Sequence, residues 1–482
     1  MNDPAIQATR TLLIDALGSA PDANTSNPDL RTMFTPSSHR LALDPDVTVV
    51  RGARGTGKTY WAKALTDPEL REVASASYMM PRLGRIEVIT AFALEGGDEP
   101  TFPGKRTLAD LVAQGVDPRD LWSAVVLTAL KVPEVLAIKP WSERIRWTRE
   151  NGEAYENALR RADRQTREQG KTLVLLFDAL DHLHNDREHL DQLLSGLFEV
   201  ALELRLTTGT LRAKIFVRPD MYESAPKAFA DASKLGANAT DLSWSRENLY
   251  GLLFHQLGNH TSDQAKAFRK ATGEWRPEGE GRYIAPVDVI ADQKRQEEVL
   301  VGLAGPYMGT DRRKGHTYTW VPNHLQDGLG RVSPRTWLHT LFRSAQLTAE
   351  RYAGHTLPLH YDAIRESLSS ASKNRVDELT DDIGWAALAV KLLEGSQVPM
   401  EPSAVRFAWE SNRLSGRIVE LLEDVKQGSG PRKIDNLTAI LEELLELGVM
   451  TRRTNGAIDL PDVYRLAFNI GRKGGVARKP VA

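Results

Sequence analysis

Eight consecutive residues, Gly52-Ala53-Arg54-Gly55-Thr56-Gly57-Lys58-Thr59, have the types and spacing needed to hold a row of phosphates. The glycines let successive backbone N–H groups curl around an anion, and a helix opening at this point adds the positive end of its dipole. Lys58 reaches the β and γ phosphates and Thr59 ligates Mg2+. Such a loop works only between a strand and a helix. Val47 to Val50 is a short β-branched run, and a helical pattern continues through Lys58, Trp61 and Leu65, so the context fits. The alternative is a glycine turn that binds nothing.

Phosphate chemistry also needs acids. Leu173-Val174-Leu175-Leu176-Phe177-Asp178 is an apolar run ending in a carboxylate, the form of a strand whose acid holds Mg2+ through water, which makes Asp178 the magnesium residue. Three residues on, Asp181 is placed to orient or deprotonate an attacking water, or else to cap the next helix. His182 and His184 have His-x-His spacing, but a third ligand is not apparent nearby, which favours surface or packing histidines. Two arginines are candidate sensors of the terminal phosphate. Arg218 follows Ile215-Phe216-Val217 at the carboxyl end of an expected strand, with a salt bridge as the alternative. Arg335 lies in the first turn of a helix opened by Ser333-Pro334, where the helix dipole disfavours a cation unless an anion compensates; that anion is either a phosphate or an ion-pair partner.

These residues require a parallel sheet to position them. Strands are expected at Val47–Val50, Ile86–Phe92, Thr172–Phe177 and Lys214–Val217, separated by helical segments, with an apolar stripe from Leu190 to Leu204 packing on the sheet. Residues 261–320 carry Gly and Pro clusters and suggest an insertion or lid, and Leu357-Pro358 suggests a further boundary. Near the C-terminus a helix with Leu437, Ile440, Leu441 and Leu444 on one face ends at Gly448. It is followed by a hairpin signal around Thr454-Asn455-Gly456, together predicting a winged helix. The expected organisation is a helical arm over 1–45, a P-loop core over 46–260, a lid or insertion over 261–360 and a helical, winged-helix domain over 361–482.

Composition narrows the function classes. A chain of 482 residues with a formal charge of -2 has no whole-molecule field to draw it to nucleic acid or an anionic membrane. The absence of cysteine excludes disulfides, thiolate zinc sites and iron–sulfur clusters. No secretory leader or long apolar run is present, so a cytoplasmic location and no membrane contact are expected. Residues 431–482 hold nine Lys or Arg against six acids; Arg452 and Arg453 before the turn, and the tail from Arg472 to Lys479, could grip DNA phosphates. The other reading is a module that packs on the ATPase or a partner.

Taken together, these motifs resemble P-loop ATPases of the AAA+ and STAND type, close in layout to Orc/Cdc6-like ATPases with a C-terminal winged helix, over about residues 46–258 and 320–470. The resemblance implies an α/β, three-layer P-loop NTPase core with a helical lid, ATP and Mg2+ as cofactors, and Ile86–Phe92 as an extra strand between the loop strand and the acidic strand. Asp178-Ala179-Leu180-Asp181 looks like the STAND acidic motif, Arg218 matches a strand-end sensor and Arg335 is similar to a lid sensor. Leu242-Ser243-Trp244 with Leu249, Leu252 and Leu253 looks like the closing strand and helix. A homo-oligomeric ATP-driven switch acting on a partner effector protein is implied, and bacterial relatives of this layout are often linked to antiviral defence. Where many relatives carry Asp-Glu, this sequence has Asp181-His182, which implies slow hydrolysis.

Overall fold

The computed structural model describes residues 3–18, 28–94, 101–279, 281–425 and 430–473, in two compact units: residues 21–243, and residues 1–20 with 244–482.

The first unit is built on five strands, β1 (Val49–Arg51), β2 (Ile86–Phe92), β3 (Thr172–Phe177), β4 (Leu211–Val217) and β5 (Ala239–Asp241), in the order β2-β3-β4-β1-β5. Every neighbouring pair is parallel. Period-two alternation divides the strand side chains between two faces. Leu173, Leu175, Phe177, Ala213, Ile215 and Val217 join a core with α2 (Pro118–Ala129) and α3 (Arg187–Thr207). Val174, Leu176, Phe216 and Val50 join another core with Trp61, Ala62 and Leu65 of α1 (Lys58–Thr66). Burial on both faces explains the continuous apolar run of β3 and of the Ile215–Val217 end of β4, and gives the expected three-layer α/β architecture.

Boundaries differ from expectation in three places. The strand expected over Lys214–Val217 starts three residues earlier, at Leu211, because Arg212 and Lys214 interrupt the apolar pattern while Leu211 and Ala213 are buried. The loop strand begins at Val49 instead of Val47, because the Val47 carbonyl is turned to Lys214 and Thr48 already donates to Asn238 O. The closing strand is Ala239–Asp241, ahead of Leu242-Ser243-Trp244; Leu242 N–H still bonds Arg51 O at 2.7 Å while its side chain is buried in the core. The Ser243 carbonyl is taken by His39, whose Nε2 lies 3.1 Å away.

In the second unit, α4 (Arg246–Asn259) is buried almost all round, and the Trp337 indole of α5 (Pro334–Arg351) donates to Leu249 O at 2.9 Å. Residues 261–320 add helices and a small antiparallel pair, Arg276–Gly279 with Arg282–Ile284, knitted by buried Gln296, which bonds Glu247 O, Val289 O and the Tyr318 hydroxyl. Leu357 and Pro358 present carbonyls to the buried Arg10 guanidinium of the N-terminal helix Pro4–Gly18. Beyond α6 (Tyr361–Asp382), α7 (Leu437–Glu446) buries Ile440, Leu441 and Leu444 as its stripe predicts. Gly448 follows at φ +76°. Strands Thr451–Arg452 and Ile458–Asp459 then form the expected antiparallel hairpin.

Candidate active site

β1, β3 and β4 deliver their C-terminal ends to one edge of the sheet, where ligands of parallel sheets bind. The loop leaves β1 flanked by β4 and β5, since Gly52 N–H bonds Val217 O at 3.0 Å just after Arg51 O has accepted from Leu242. The Thr56 hydroxyl then bonds Ala53 O at 2.8 Å, closing a tight turn. Gly57 sits at φ +104°, a left-handed conformation that glycine alone adopts readily, and hands the chain to α1. Gly52 is required for a different reason: a Cβ there would lie 2.6 Å from Thr56 Oγ1 and 3.0 Å from Lys58 Cγ.

Lys58 opens α1 and its Nζ donates to Gly52 O at 2.9 Å and Ala53 O at 3.3 Å, so the ammonium closes back over the loop that a phosphate would enter. Loss of solvent lowers its pKa; Asp181 and Asp178 oppose that shift and Arg218 reinforces it. These charges therefore act on a common point.

Asp178 continues β3 beyond Phe177, its N–H bonding Phe92 O at 2.9 Å. The residue is 5% exposed, and Oδ1 is a buried polar atom with no hydrogen-bond partner among the described residues. Burial pushes its pKa up, against the Ala179 N–H, the Lys58 ammonium and the Thr59 hydroxyl. An orphaned carboxylate oxygen in a buried position costs about 1–3 kcal/mol unless something compensates it. A hard divalent cation with oxygen ligands is such a compensator, so Asp178 and Thr59 fit Mg2+.

Ala179 turns the chain sharply at φ +56°, and Asp181 follows in a short 3-10 turn, Leu180–His182, with its carboxylate partly exposed and 3.9 Å from His182 Nε2. The cap of α3 is Asp186, whose side chain accepts from His189 N–H at 3.0 Å, so Asp181 does not serve as that cap.

Arg218 forks onto Asp220, with Nε to Oδ1 at 3.0 Å and Nη2 to Oδ2 at 2.8 Å. The salt bridge anticipated as its alternative role is therefore present, while its charge still reaches Lys58. Burial alone would raise Asp220, but Arg218 and Arg187 outweigh it and keep the carboxyl below its ordinary range. Asp220 went unnoticed in the sequence; the available signal was Arg218-Pro219-Asp220, in which the proline opens a helical turn and aims the acid back.

Arg335 belongs to the second unit, where its Nη1 lies 3.5 Å from Glu378 Oε1 on α6. Its ion-pair alternative is thus realised. On the hairpin, Arg452 pairs with Glu442, and Arg453 with Asp459. Arg472 also reaches Asp459 and Asp462 at 3.5 Å, while residues 474–482 of the basic tail lie outside the described residues. No described helix is long and apolar enough to cross a membrane.

No family model matches the chain, and no curated protein matches it. Among solved structures it is similar to the Aeropyrum pernix ORC2 protein in its ADPNP–ADP complexes, at 13% identity over 88% of this chain and 86% of that one, with a TM-score of 0.37. The ADP form of that protein matches at 13% identity over 94% and 93% of the two chains, with a TM-score of 0.35. Cdc6p from Pyrobaculum aerophilum matches at 14% identity over 94% of each chain, with a TM-score of 0.31.

Proposed function

We propose that the chain binds and hydrolyses ATP with Mg2+ and acts as a self-assembling molecular switch on a partner protein. The observation that carries this reading is the convergence, at one sheet edge, of the Gly52–Thr59 loop, the orphaned Asp178 oxygen and the Arg218–Asp220 pair around Lys58. Loop N–H groups and Lys58 take the phosphates, and Thr59 with Asp178 hold the cation, which neutralises charge on the transferring phosphoryl group. Asp181 orients or deprotonates the attacking water. Arg218, held in its fork by Asp220, is the group at this edge that distinguishes a tri- from a diphosphate, and Arg335 is the sensor proposed for the second unit.

Between DNA and protein as the partner, the ion pairs of the hairpin favour protein. Arg452 and Arg453 already face Glu442 and Asp459, so each phosphate contact would have to displace an internal acid. Lys58→Ala tests the whole reading. It should weaken ATP binding at least tenfold, since a charge-assisted contact contributes about 1.5–3 kcal/mol. Unchanged affinity in titration calorimetry rejects the phosphate loop.

A further inference from the structure

The connection from β3 to α3 carries a second group of side chains that phosphate chemistry does not use. Leu180, Leu183 and Leu190 are buried and pin this connection to the core, leaving its polar residues outside. Among them His184, Asp186 and His189 each offer a donor atom, and the three atoms lie within 4.8 Å of one another. Sequence spacing pointed to His182 as the companion of His184. The fold instead joins His184 to an acid and a histidine across a helix terminus.

Three backbone constraints hold the group together. Asp186 caps α3 by accepting from His189 N–H at 3.0 Å, which brings positions 186 and 189 to the same side of the first turn. The Nδ1 of His189 lies 2.9 Å from Asp186 Oδ1, and the Nδ1 of His184 accepts from the Asp186 N–H at 3.0 Å. The two imidazole rings stand 4.9 Å apart, centroid to centroid, at 57°. Both Nδ1 atoms are therefore turned toward Asp186, one to its side chain and one to its backbone.

We propose that His184, Asp186 and His189 form a site for an imidazole-preferring divalent transition metal of the Zn2+ class. Two imidazoles and one carboxylate suit zinc, nickel, copper or iron and not the oxygen-seeking Mg2+ and Ca2+. A tetrahedral ion with bonds of about 2.0–2.1 Å needs donors about 3.3 Å apart. The present spread closes to that by modest rotation of side chains that are partly or fully solvent-exposed. Binding exchanges the His184 and His189 contacts to Asp186 for metal bonds and leaves the Asp186 N–H to water. Three protein ligands leave a further coordination position open. The site lies three residues beyond Asp181, and its occupation ties that connection to the first turn of α3.

Co2+ added alone to the full-length, nucleotide-free protein is the probe, read by its visible absorption and back-titrated with Zn2+. Wild type should bind Co2+ with the intense absorption of four- or five-coordinate geometry and release it to Zn2+ but not to a large excess of Mg2+. The double variant His184→Gln/His189→Gln should lose at least tenfold in affinity. Asp178→Asn, and His355→Gln/His360→Gln at a histidine pair of the second unit, should bind as wild type. Retention in Asp178→Asn separates this site from the proposed magnesium residue, so the proposal stands or falls apart from ATP binding. Absence of Co2+ binding by wild type, or equal binding by a His184→Gln/His189→Gln protein with unchanged circular dichroism, overturns it and leaves the group as a helix cap only.

Discussion

Gly52→Ala isolates the geometry of the phosphate loop from its charge. The position is not in a left-handed conformation, so alanine is tolerated by the backbone and the effect is purely one of space. The new methyl would stand 2.6 Å from Thr56 Oγ1, 3.0 Å from Lys58 Cγ and 3.4 Å from Leu242 Cβ. Thr56 cannot swing away without giving up its bond to Ala53 O, a loss of about 1 kcal/mol. Overpacking in a fixed site adds about 1–3 kcal/mol. At the low end of the sum, about 2 kcal/mol, ATP affinity should fall at least roughly 30-fold in titration calorimetry, with the circular dichroism spectrum unchanged.

Because Thr56 Oγ1 is the nearest obstacle, a double-mutant cycle sharpens this. Thr56→Ala alone should weaken binding by roughly fivefold through the lost turn bond, and adding it to Gly52→Ala should rescue most of the 30-fold loss. Additive losses, or a Gly52→Ala protein that binds ATP within twofold of wild type, would refute the argument that close approach is what requires glycine here.

Two other variants probe different links. Asp181→Asn should keep ATP affinity and slow phosphate release by about 100-fold if Asp181 is the general base, whereas wild-type turnover would place the base elsewhere. Burial pushes Lys214 down from an ordinary 10.5 to about 7, so between these values the unfolded chain holds a proton that the folded chain has released. Stability from this group is therefore present at high pH and lost as pH falls toward 7. Urea denaturation of wild type should gain up to about 2 kcal/mol between pH 7 and 9 relative to Lys214→Met, and parallel pH profiles for the two proteins would contradict it.

The acidic strand was legible because it is buried on both faces and so appears as an unbroken apolar run; Thr172–Phe177, and the edge strand Ile86–Phe92 with its exposed Glu87, coincide with their expected bounds. The loop was legible because glycine spacing and a following lysine carry their own chemistry. What could not be read are contacts that depend on tertiary placement. The Arg218–Asp220 fork needs the turn made by Pro219, and the pairs of Arg452 and Arg453 need α7 and the second hairpin strand beside them. Net charge over residues 431–482 counts those arginines as available, whereas the fold matches each with an acid. The His184, Asp186 and His189 group is hidden in the sequence because His-x-His spacing pairs His184 with His182, while helix capping selects positions 186 and 189.

The strand that carries the phosphate loop has only three residues, Val49–Arg51, too few ladder bonds to fix a loop by themselves. Its position comes from the segment before it. The buried Lys214 Nζ of β4 lies within hydrogen-bond distance of the carbonyls of Ala42, Asp44 and Val47, and Arg212 pairs with Asp46 at 2.9 Å, so the entry to β1 is tied to β4 before the two strands pair. On the far side of the loop, the Trp61 indole of α1 donates to His39 Nδ1 at 2.9 Å, which leaves His39 Nε2–H to donate to Ser243 O. Burial lowers the His39 pKa to about 4, keeping the ring neutral and able to play both parts at once. Residues 36–47, most of which the sequence assigns to an N-terminal arm, therefore hold the start of β1 at one end and the loop helix at the other. The loop between them is fixed through both of its flanks, and Lys58 inherits its placement over Gly52 and Ala53 from residues that touch no phosphate.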